Sequence, residues 1–341
     1  MNGRQLHSTS GCTKRSRENT ERPRAAAFLP VIPLYDSMGK TLRIFRNAQG
    51  RTATVLALIL LILSGLVPQV RADDWKLVWS DEFKYNGPPD SKKWDYERGM
   101  VRNGEPQCYT RSPRNVRVEN GYLVLEALKG KVFNGEVFNP FQKKKTLDES
   151  ITHDYSSASI CTKGRQSWLY GKFEIRARLP DQAGTWPAFW MLGTDFPGVT
   201  WPACGEIDIM ERMWQWNGDP LSGIMTSVHF KPLRHLNLSG TSNSLHSFRV
   251  TPVKGATTGF HVYAMEWYPD RIDFIMDGLL ANRVFLAEID SITVDNPFRK
   301  PQYILLNLAL NRRNRGFKDA VFPAQFLVDY VRVYQKKGAG L

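Results

Sequence analysis

Three acidic residues, Glu206, Asp208 and Glu211, fall within six positions of the chain, where they alternate with large aliphatic residues. Such alternation is typical of a strand with one buried face and one polar face. Glu206 and Asp208 share a face, whereas the odd spacing of five would turn Glu211 to the other side. A bulge at Ile209–Met210 would bring Glu211 back and produce a row of three carboxyls.

A row of like charges is costly to assemble, because each ionised carboxyl disfavours ionisation of the next. Glycoside hydrolysis provides a use for it, since that reaction needs one carboxylate and one carboxylic acid beside the same bond. The retaining form places the two carboxyls about 5–5.5 Å apart. We predict Glu206 as nucleophile, Glu211 as general acid/base, and Asp208 as a hydrogen-bond partner of Glu206. An acidic, solvent-facing strand without catalytic function is the alternative.

The elements that must position this row are short strands. From residue 75 onward the chain consists of alternating or apolar runs separated by turns, without long helical periodicity. Asn-Gly at 120–121 and Asp-Gly at 277–278 each predict a two-residue hairpin. The nearly continuous apolar run 303–310 predicts a central strand. We therefore predict an all-β protein, a single antiparallel β-sandwich over residues 73–338.

The composition narrows the function classes. Residues 1–72 hold 11 basic and 3 acidic residues, so this segment supplies eight of the 13 net positive charges. The remainder is only mildly basic and has no basic stripe with interleaved aromatics, which argues against nucleic-acid binding. Ten tryptophans are more than a core needs, and platforms for sugar stacking are one use for them.

The N-terminal segment predicts that the protein is secreted. An uncharged apolar run at 53–67 follows basic residues and precedes Val70-Arg71-Ala72, so we predict a secretory signal over 38–72 with cleavage near Ala72. An uncleaved membrane anchor is the alternative, although the run is shorter than the usual ~20 residues. Residues 1–37 are either a disordered extension or precede the true start at Met38. We expect a secreted protein, extracellular or periplasmic, without stable membrane association after cleavage.

Cysteine usage is sparse. Cys108, Cys161 and Cys204 lie in the predicted domain, so at most one disulfide can form among them, and the sequence does not select a pair. Their spacing gives no metal-site pattern.

Two tryptophan-rich segments surround the acidic row. Trp186-Pro-Ala-Phe-Trp-Met-Leu-Gly, followed by Trp201-Pro-Ala-Cys-Gly-Glu-Ile-Asp-Ile-Met-Glu, resembles glycoside hydrolase family 16, in particular the bacterial laminarinase (endo-β-1,3-glucanase) branch. The five-residue acid spacing with its extra Met is the form of that branch, and the lichenase branch lacks it. The similarity extends over nearly all of residues 75–336.

The resemblance implies a β-jelly roll of two curved antiparallel sheets with a substrate cleft on the concave face. It also implies the catalytic roles given above for the three acids. Positions that match the family's substrate-binding residues are Trp186, Trp190, Trp201, His229, Asn103, Glu105 and Gln107. Core packing is the alternative for Trp190, a structural hydrogen bond for His229, and a surface charge for Glu105.

The family often carries a structural calcium on the convex side, and the matching positions here are Glu82 and Asp329. Oxygen ligands of this kind suit calcium. The hydrolysis itself requires no metal or other cofactor.

The sequence departs from the family pattern at 311–316, Asn-Arg-Arg-Asn-Arg-Gly, where many laminarinases have Gly-Gly and a Trp. Arg312 and its neighbours would rim one end of the cleft, and guanidiniums bind carboxylate or sulfate in a fork geometry. A solvated loop is the alternative. Cys108 also replaces a usual aromatic residue.

These observations predict a monomeric, secreted endo-hydrolase that cleaves internal β-1,3 (or mixed β-1,3/1,4) glucan bonds with retained configuration. Its expected partner is a polysaccharide substrate. A hydrolase of an anionic algal galactan is the rival within the enzyme class, favoured by the Arg312 loop. A non-catalytic glycan-binding jelly roll is the rival of a different class, and it leaves the pair Glu206 and Glu211 unexplained.

Overall fold

The structure, a computed structural model, describes residues 75–133, 137–138, 145–146, 152–212, 223–233, 245–252, 255, 257–311, 317 and 320–336. All of them belong to the second of two units into which the chain divides, Arg71–Leu341. The predicted extension at 1–37, the predicted signal at 38–72 and Arg312 lie outside the described residues. No helix in the described part is long and apolar enough to cross a membrane.

Strands make up most of the described residues, with one short α-helix and one 3-10 turn, Pro297–Arg299. In chain order the elements are β1 (Trp75–Asp81), β2 (Asp95–Tyr96), β3 (Gln107–Tyr109), β4 (Val116–Glu119), β5 (Tyr122–Phe133), β6 (Val137–Phe138), β7 (Lys145–Thr146), β8 (Thr152–Ser157), β9 (Ser159–Cys161), β10 (Gly171–Arg178), β11 (Thr185–Gly193), β12 (Glu206–Glu211), β13 (Gly223–Phe230), β14 (Leu245–Pro252), β15 (His261–Trp267), β16 (Arg271–Met276), β17 (Leu279–Phe285), α1 (Leu286–Asp290), β18 (Gln302–Leu310) and β19 (Ala324–Lys336).

The strands form two large sheets. The larger runs in the order β17-β16-β15-β10-β19-β5-β8-β3, with β1 also paired to β19 and β4 to β5, and the smaller runs β14-β13-β12-β11-β18-β9-β2. Apolar side chains of both sheets meet in one buried core. The predicted all-β jelly-roll sandwich is thus confirmed. The pairing is antiparallel between these strands except for β3 with β8, which is parallel.

Local patterns in the sequence account for this framework. In β10, Phe173, Ile175 and Ala177 alternate with polar residues and are fully buried. All nine residues of β18 are buried between β11 and β9, as predicted for a central strand. Both predicted hairpins are present, and their turn residues have positive φ, 53° and 81° at 120–121 and 49° and 80° at 277–278, which suits a type I′ turn.

Cys108, Cys161 and Cys204 are buried, and none of them forms a disulfide. Burial raises the pKa of the Cys108 thiol to about 11 and those of Cys161 and Cys204 to about 12. These thiols are therefore protonated at neutral pH.

Candidate active site

The three acids lie on β12, in the middle of the smaller sheet. Along β13, Asp208 pairs with Ser227 and Glu211 with Met225, so two residues of β12 oppose one of β13. Along β11, Met210 pairs with Phe189 and Asp208 with Trp190, again with one extra residue in β12. The predicted bulge at 209–210 is confirmed on both sides of the strand.

Because of the bulge, the apolar side chains of β12 face the core and its acidic side chains face the opposite side of the sheet. Ile207, Ile209 and Met210 are fully buried in the core between the sheets. Glu211 instead returns to the face that carries Glu206 and Asp208, which we call the outer face of the smaller sheet. A carboxyl row thus forms without placing a charge in the core, where an unpaired charge would be very costly.

Gly205 lies directly before β12 and has a left-handed backbone conformation. Its φ is +78°, and a Cβ there would lie 2.6 Å from Cβ of Pro297. We expect Gly205→Ala to lower the free energy of unfolding by about 2–4 kcal/mol, because it adds a clash to a left-handed backbone. Gly278→Ala is the matched control: its φ is +80°, nothing lies within 4 Å of its Cβ position, and the expected loss is about 1 kcal/mol. Equal losses in urea denaturation would contradict the role of the Pro297 contact.

Glu206 is held by an aromatic neighbour. The indole Nε1 of Trp201 donates a hydrogen bond of 2.9 Å to its Oε2, and Nε2 of His229 lies 3.8 Å from its Oε1. The Trp201 ring is 42% exposed and lies 5.9 Å from the His229 ring, centroid to centroid. Glu206 thus has one oxygen fixed by a donor, and Trp201 offers an open aromatic surface beside it.

Asp208 is bonded across the strands. Its Oδ2 accepts a short hydrogen bond from Ser227 and lies 3.0 Å from Nε2 of His229. The hydrogen bond between Asp208 and Glu206 stays a prediction. Residues two apart on a strand are roughly 6.6 Å apart at Cα, whereas the directly opposite residue is only about 4.5–5.5 Å away. Ser227 therefore reaches Asp208 first.

Glu211 is buried and is held from the β11 side. Nε1 of Trp186 donates a 2.8 Å hydrogen bond to its Oε1. Each outer carboxyl of the row therefore accepts one tryptophan N–H, Glu206 from Trp201 and Glu211 from Trp186. Such bonds restrict the side-chain rotamers and select which oxygen of each carboxyl is left for chemistry.

The two outer carboxyls, Glu206 and Glu211, differ in pKa. Burial, and after it the charge of Asp208, raises the pKa of Glu206 to about 8, while His229, Arg102 and the Trp201 bond act in the opposite direction. Burial and the charges of Asp208 and Glu206 raise the pKa of Glu211 well above its usual range. Because Glu206 has Arg102 as an additional nearby cation, it is the one that ionises first, and Glu211 keeps its proton.

His229 supplies a positive charge beside the three carboxyls. Burial acts to lower its pKa, but the hydrogen bond and charge of Asp208, with the charges of Glu206 and Glu211, outweigh burial and raise the pKa to about 9. At neutral pH His229 is therefore an imidazolium that donates to Asp208. This cation beside Asp208, together with the raised pKa values of Glu206 and Glu211, makes the row electrostatically tolerable.

Comparison with known proteins agrees with this geometry. The model of glycosyl hydrolases family 16 matches residues 109–330. This chain belongs to glycosyl hydrolase family 16. It is 38% identical over 302 residues to a β-glucanase of Rhodothermus marinus, covering 85% of this chain and 96% of that protein. The predicted resemblance is confirmed, and membership in family 16 identifies the chain as an O-glycosyl hydrolase.

Solved structures of family 16 share the fold. The catalytic domain of an endo-1,3-β-glucanase (laminarinase) from Thermotoga petrophila has a TM-score of 0.64 and 34% identity, covering 78% of this chain and 100% of that one. The laminarinase from Rhodothermus marinus has a TM-score of 0.62 and 37% identity, covering 78% and 99%.

The remaining residues that match substrate-binding positions of family 16 form a hydrogen-bonded network beside the row, which is buried except at Asn103. Trp190 is 7% exposed, and its Nε1 donates to Oδ1 of Asn307 at 2.7 Å. Asn307 donates to the Tyr109 hydroxyl at 3.1 Å, and that hydroxyl donates to Glu105 at 3.3 Å. These contacts stiffen the outer face of the sheet. Sugar contact by Trp190 and Glu105 stays a prediction.

The loop before β3 completes this network. Asn103 and Gln107 both donate to Glu105, at 3.0 and 2.6 Å, and Gln107 accepts the backbone N–H of Leu310 at 3.0 Å. Gln107 is only 1% exposed, whereas Asn103 is exposed. As placed, Glu105 and Gln107 join the loop to β18, and only Asn103 presents its side chain to solvent.

The two predicted calcium ligands of the family already have partners. Glu82 accepts two hydrogen bonds from Arg332, at 2.9 and 2.8 Å, and Asp329 accepts one from Arg176 at 2.5 Å. A dication at these carboxylates would compete with two guanidiniums, so this donor set as arranged does not fit calcium. Among the described residues, a group of three candidate metal ligands occurs at Glu206, Asp208 and His229.

Sequence reasoning missed several residues of the site. Ser227 lies two positions before His229 on β13, so the period of two could have placed it on the same face. Asn307 interrupts an apolar run and Tyr109 follows Gln107-Cys108, and neither position carries a local signal for its partners. Arg102, whose guanidinium lies 4.9 Å from the Trp190 ring centroid, comes from a loop and has no periodic signal.

Proposed function

We propose that this protein is a secreted, monomeric, retaining endo-β-glucanase that cleaves internal β-1,3 (or mixed β-1,3/1,4) glucan bonds. The observation that carries the proposal is the carboxyl row: Glu206 and Glu211 share one sheet face, each with one oxygen held by a tryptophan N–H. The relatives' names, a β-glucanase and laminarinases, support the substrate class. The sequence 38–72 supports secretion.

In the first step Glu206 attacks the anomeric carbon. Its Oε2 accepts the Trp201 N–H, so Oε1 is the oxygen available for the attack. Glu211 accepts the Trp186 N–H at Oε1, so its proton resides on Oε2 and passes to the leaving glycosidic oxygen. A covalent glycosyl–Glu206 ester forms as the aglycone leaves.

In the second step Glu211, now ionised, removes a proton from a water that attacks the same anomeric carbon. The ester bond to Glu206 breaks, the carboxylate is released, and Glu211 regains its proton. Two inversions at one carbon give net retention. The negative charge thus moves from Glu206 to Glu211 in the first step and returns to Glu206 in the second, so the total charge of the row does not change.

Asp208 should therefore set the pH range of the enzyme. Its charge raises the pKa of both Glu206 and Glu211, so Asp208→Asn is expected to lower both pKa values. The acidic limb of the kcat/KM profile follows ionisation of Glu206 and the alkaline limb follows loss of the Glu211 proton. Both limbs should move to lower pH, with kcat reduced roughly 10- to 100-fold. Asp270→Asn at the exposed bend before β16 is the control, and unmoved limbs in Asp208→Asn would contradict this role.

The test of the function is a panel of polysaccharides assayed for new reducing ends: laminarin, lichenan, agar, porphyran and carrageenan. We expect cleavage of laminarin, or of laminarin and lichenan, with a rapid fall in viscosity that marks internal cuts. Early products observed by NMR should be β-anomers. Cleavage of the galactans alone would overturn the substrate class, and binding of glucan without cleavage of any polymer would overturn the enzymatic function.

A further inference from the structure

Strand β13 supplies one residue opposite each acid of the carboxyl row. The cross-strand pairs are Glu206 with His229, Asp208 with Ser227, and Glu211 with Met225. Directly opposite residues of antiparallel strands have Cβ atoms about 4.5–5.5 Å apart, so the side chains of each pair are neighbours. Two of the acids therefore face a polar residue of β13, and Glu211 alone faces an apolar one.

Met225 lies on the same face of the sheet as the row. Ser227, two positions later on β13, donates to Asp208, and the strand period of two gives Met225 the same face as Ser227. The residue between them, Thr226, points the other way, because its hydroxyl accepts a 3.1 Å hydrogen bond from Asn282 on β17 of the larger sheet. Met225 is half-buried, so part of its side chain packs on the sheet and part is open to solvent.

Exclusion of water is the main influence on Glu211, which is only 7% exposed. Burial raises its pKa most; the hydrogen bond from Trp186 lowers it, and the charged groups that act on it are Asp208, Glu206 and His229. On the β11 side the opposite residue is Ala188. The adjacent cation, Arg212, is directed to the carbonyl of Pro180, to which its Nη1 donates at 2.9 Å. The side chains that cover Glu211 therefore decide how firmly it holds its proton.

We propose that Met225 is a positioning residue for the general acid: its apolar side chain covers Glu211 from the β13 side and keeps that carboxyl protonated until the leaving oxygen takes the proton. A thioether has no N–H or O–H to donate, so it cannot stabilise an ionised carboxylate. His229 has the opposite effect on Glu206, whose pKa its charge lowers.

Two glutamates of the same strand thus receive different roles from the residues opposite them on β13. Glu206 has an imidazolium as its neighbour and serves as the carboxylate, whereas Glu211 has a thioether and serves as the acid. This inference rests on the proposed glucanase function and deepens it, because it names the residue that sets the alkaline limit of the same site.

The test is the pH profile of kcat/KM on glucan in a series of Met225 variants. Met225→Leu stays apolar and should leave the alkaline limb in place. Met225→Lys brings a cation opposite Glu211 and should move that limb about 1–3 pH units lower, and Met225→Gln, which brings an uncharged donor, should move it in the same direction by less. Ile275→Lys, at a half-buried position on β16 of the larger sheet, is the matched control. Equal alkaline limbs in Met225→Leu and Met225→Lys would overturn the proposal.

A direct titration of Glu211 keeps the test independent of turnover. The side-chain carboxyls are labelled with carbon-13, and the Glu211 signal is assigned as the one that Glu211→Gln removes. Its apparent pKa should be lower in Met225→Lys than in the native protein, and Met225→Gln replaces Met225→Lys if the latter does not fold. An unchanged pKa in the folded variant would overturn the role of Met225. A lowered pKa in a protein whose native form cuts no glucan would overturn the proposed function instead.

Discussion

Replacement of Glu206 with alanine is expected to reduce kcat on glucan by roughly 10⁴-fold or more, because the glycosyl–enzyme bond can no longer form. Oligosaccharide binding should persist, since Trp201 keeps its exposed ring. Added azide should enter the space left by the carboxylate and attack the anomeric carbon directly. The product would be an α-configured glycosyl azide, formed with a single inversion while Glu211 still supplies the proton.

The outcome of the Glu206 experiment separates the two outer carboxyls. The measurement is residual reducing-end release, combined with NMR of the azide product and calorimetry of oligosaccharide binding. Asp270→Asn at the exposed bend before β16 serves as the control for handling and purity. A β-configured azide would assign Glu206 as the acid/base and would reverse the roles proposed for the two residues. Activity close to native would remove Glu206 from the reaction.

Replacement of Glu211 with alanine is expected to reduce kcat on glucan roughly 10²- to 10⁴-fold, the usual range for loss of a general acid. The effect on the first step should depend on the leaving group. A substrate with a dinitrophenyl leaving group needs no protonation, so its glycosylation step should stay fast and produce a burst. Water attack on the ester should then be slow, because no base remains to take the proton of the water.

The pH profile gives an independent test of Glu211. The alkaline limb of kcat/KM arises from loss of its proton, so Glu211→Ala should lack that limb. Azide should here react with the covalent intermediate and give a β-configured product. Trp186→Phe is the matched variant: it removes the N–H that Oε1 of Glu211 accepts while the carboxyl stays. We expect it to keep both limbs, and loss of the alkaline limb in Trp186→Phe alone would contradict the assignment.

The catalytic strand shows how much local sequence can predict. Alternation in β12, together with an odd spacing between its outer acids, required a bulge if all three acids were to share a face. The structure has that bulge at Ile209 and Met210. The hairpins at 120–121 and 277–278 were likewise predicted, because two-residue turns depend on residues that tolerate positive φ. Such features follow from neighbours along the chain.

The partners of the acids were not predictable in the same way. Asp208 bonds Ser227 and His229, which lie about twenty positions away and meet it through the register of β13. Trp201 and Trp186 were expected as sugar platforms, and the structure adds that their N–H groups hold Glu206 and Glu211. A hydrogen-bond partner depends on register and side-chain direction, and composition contains neither.

The sequence by itself determined the strand periods, the turns, the carboxyl row and the family, because each of these depends on residues close together in the chain. The tertiary structure alone decided that Arg102 lies near Glu206. It also decided which carboxyl oxygen of Glu206 and of Glu211 accepts a tryptophan N–H and which remains available. It also placed Arg102, from a loop about a hundred positions before β12, on Trp190. The physical reason is that pKa values and hydrogen bonds depend on distances through space, and folding brings together residues that are far apart in the chain.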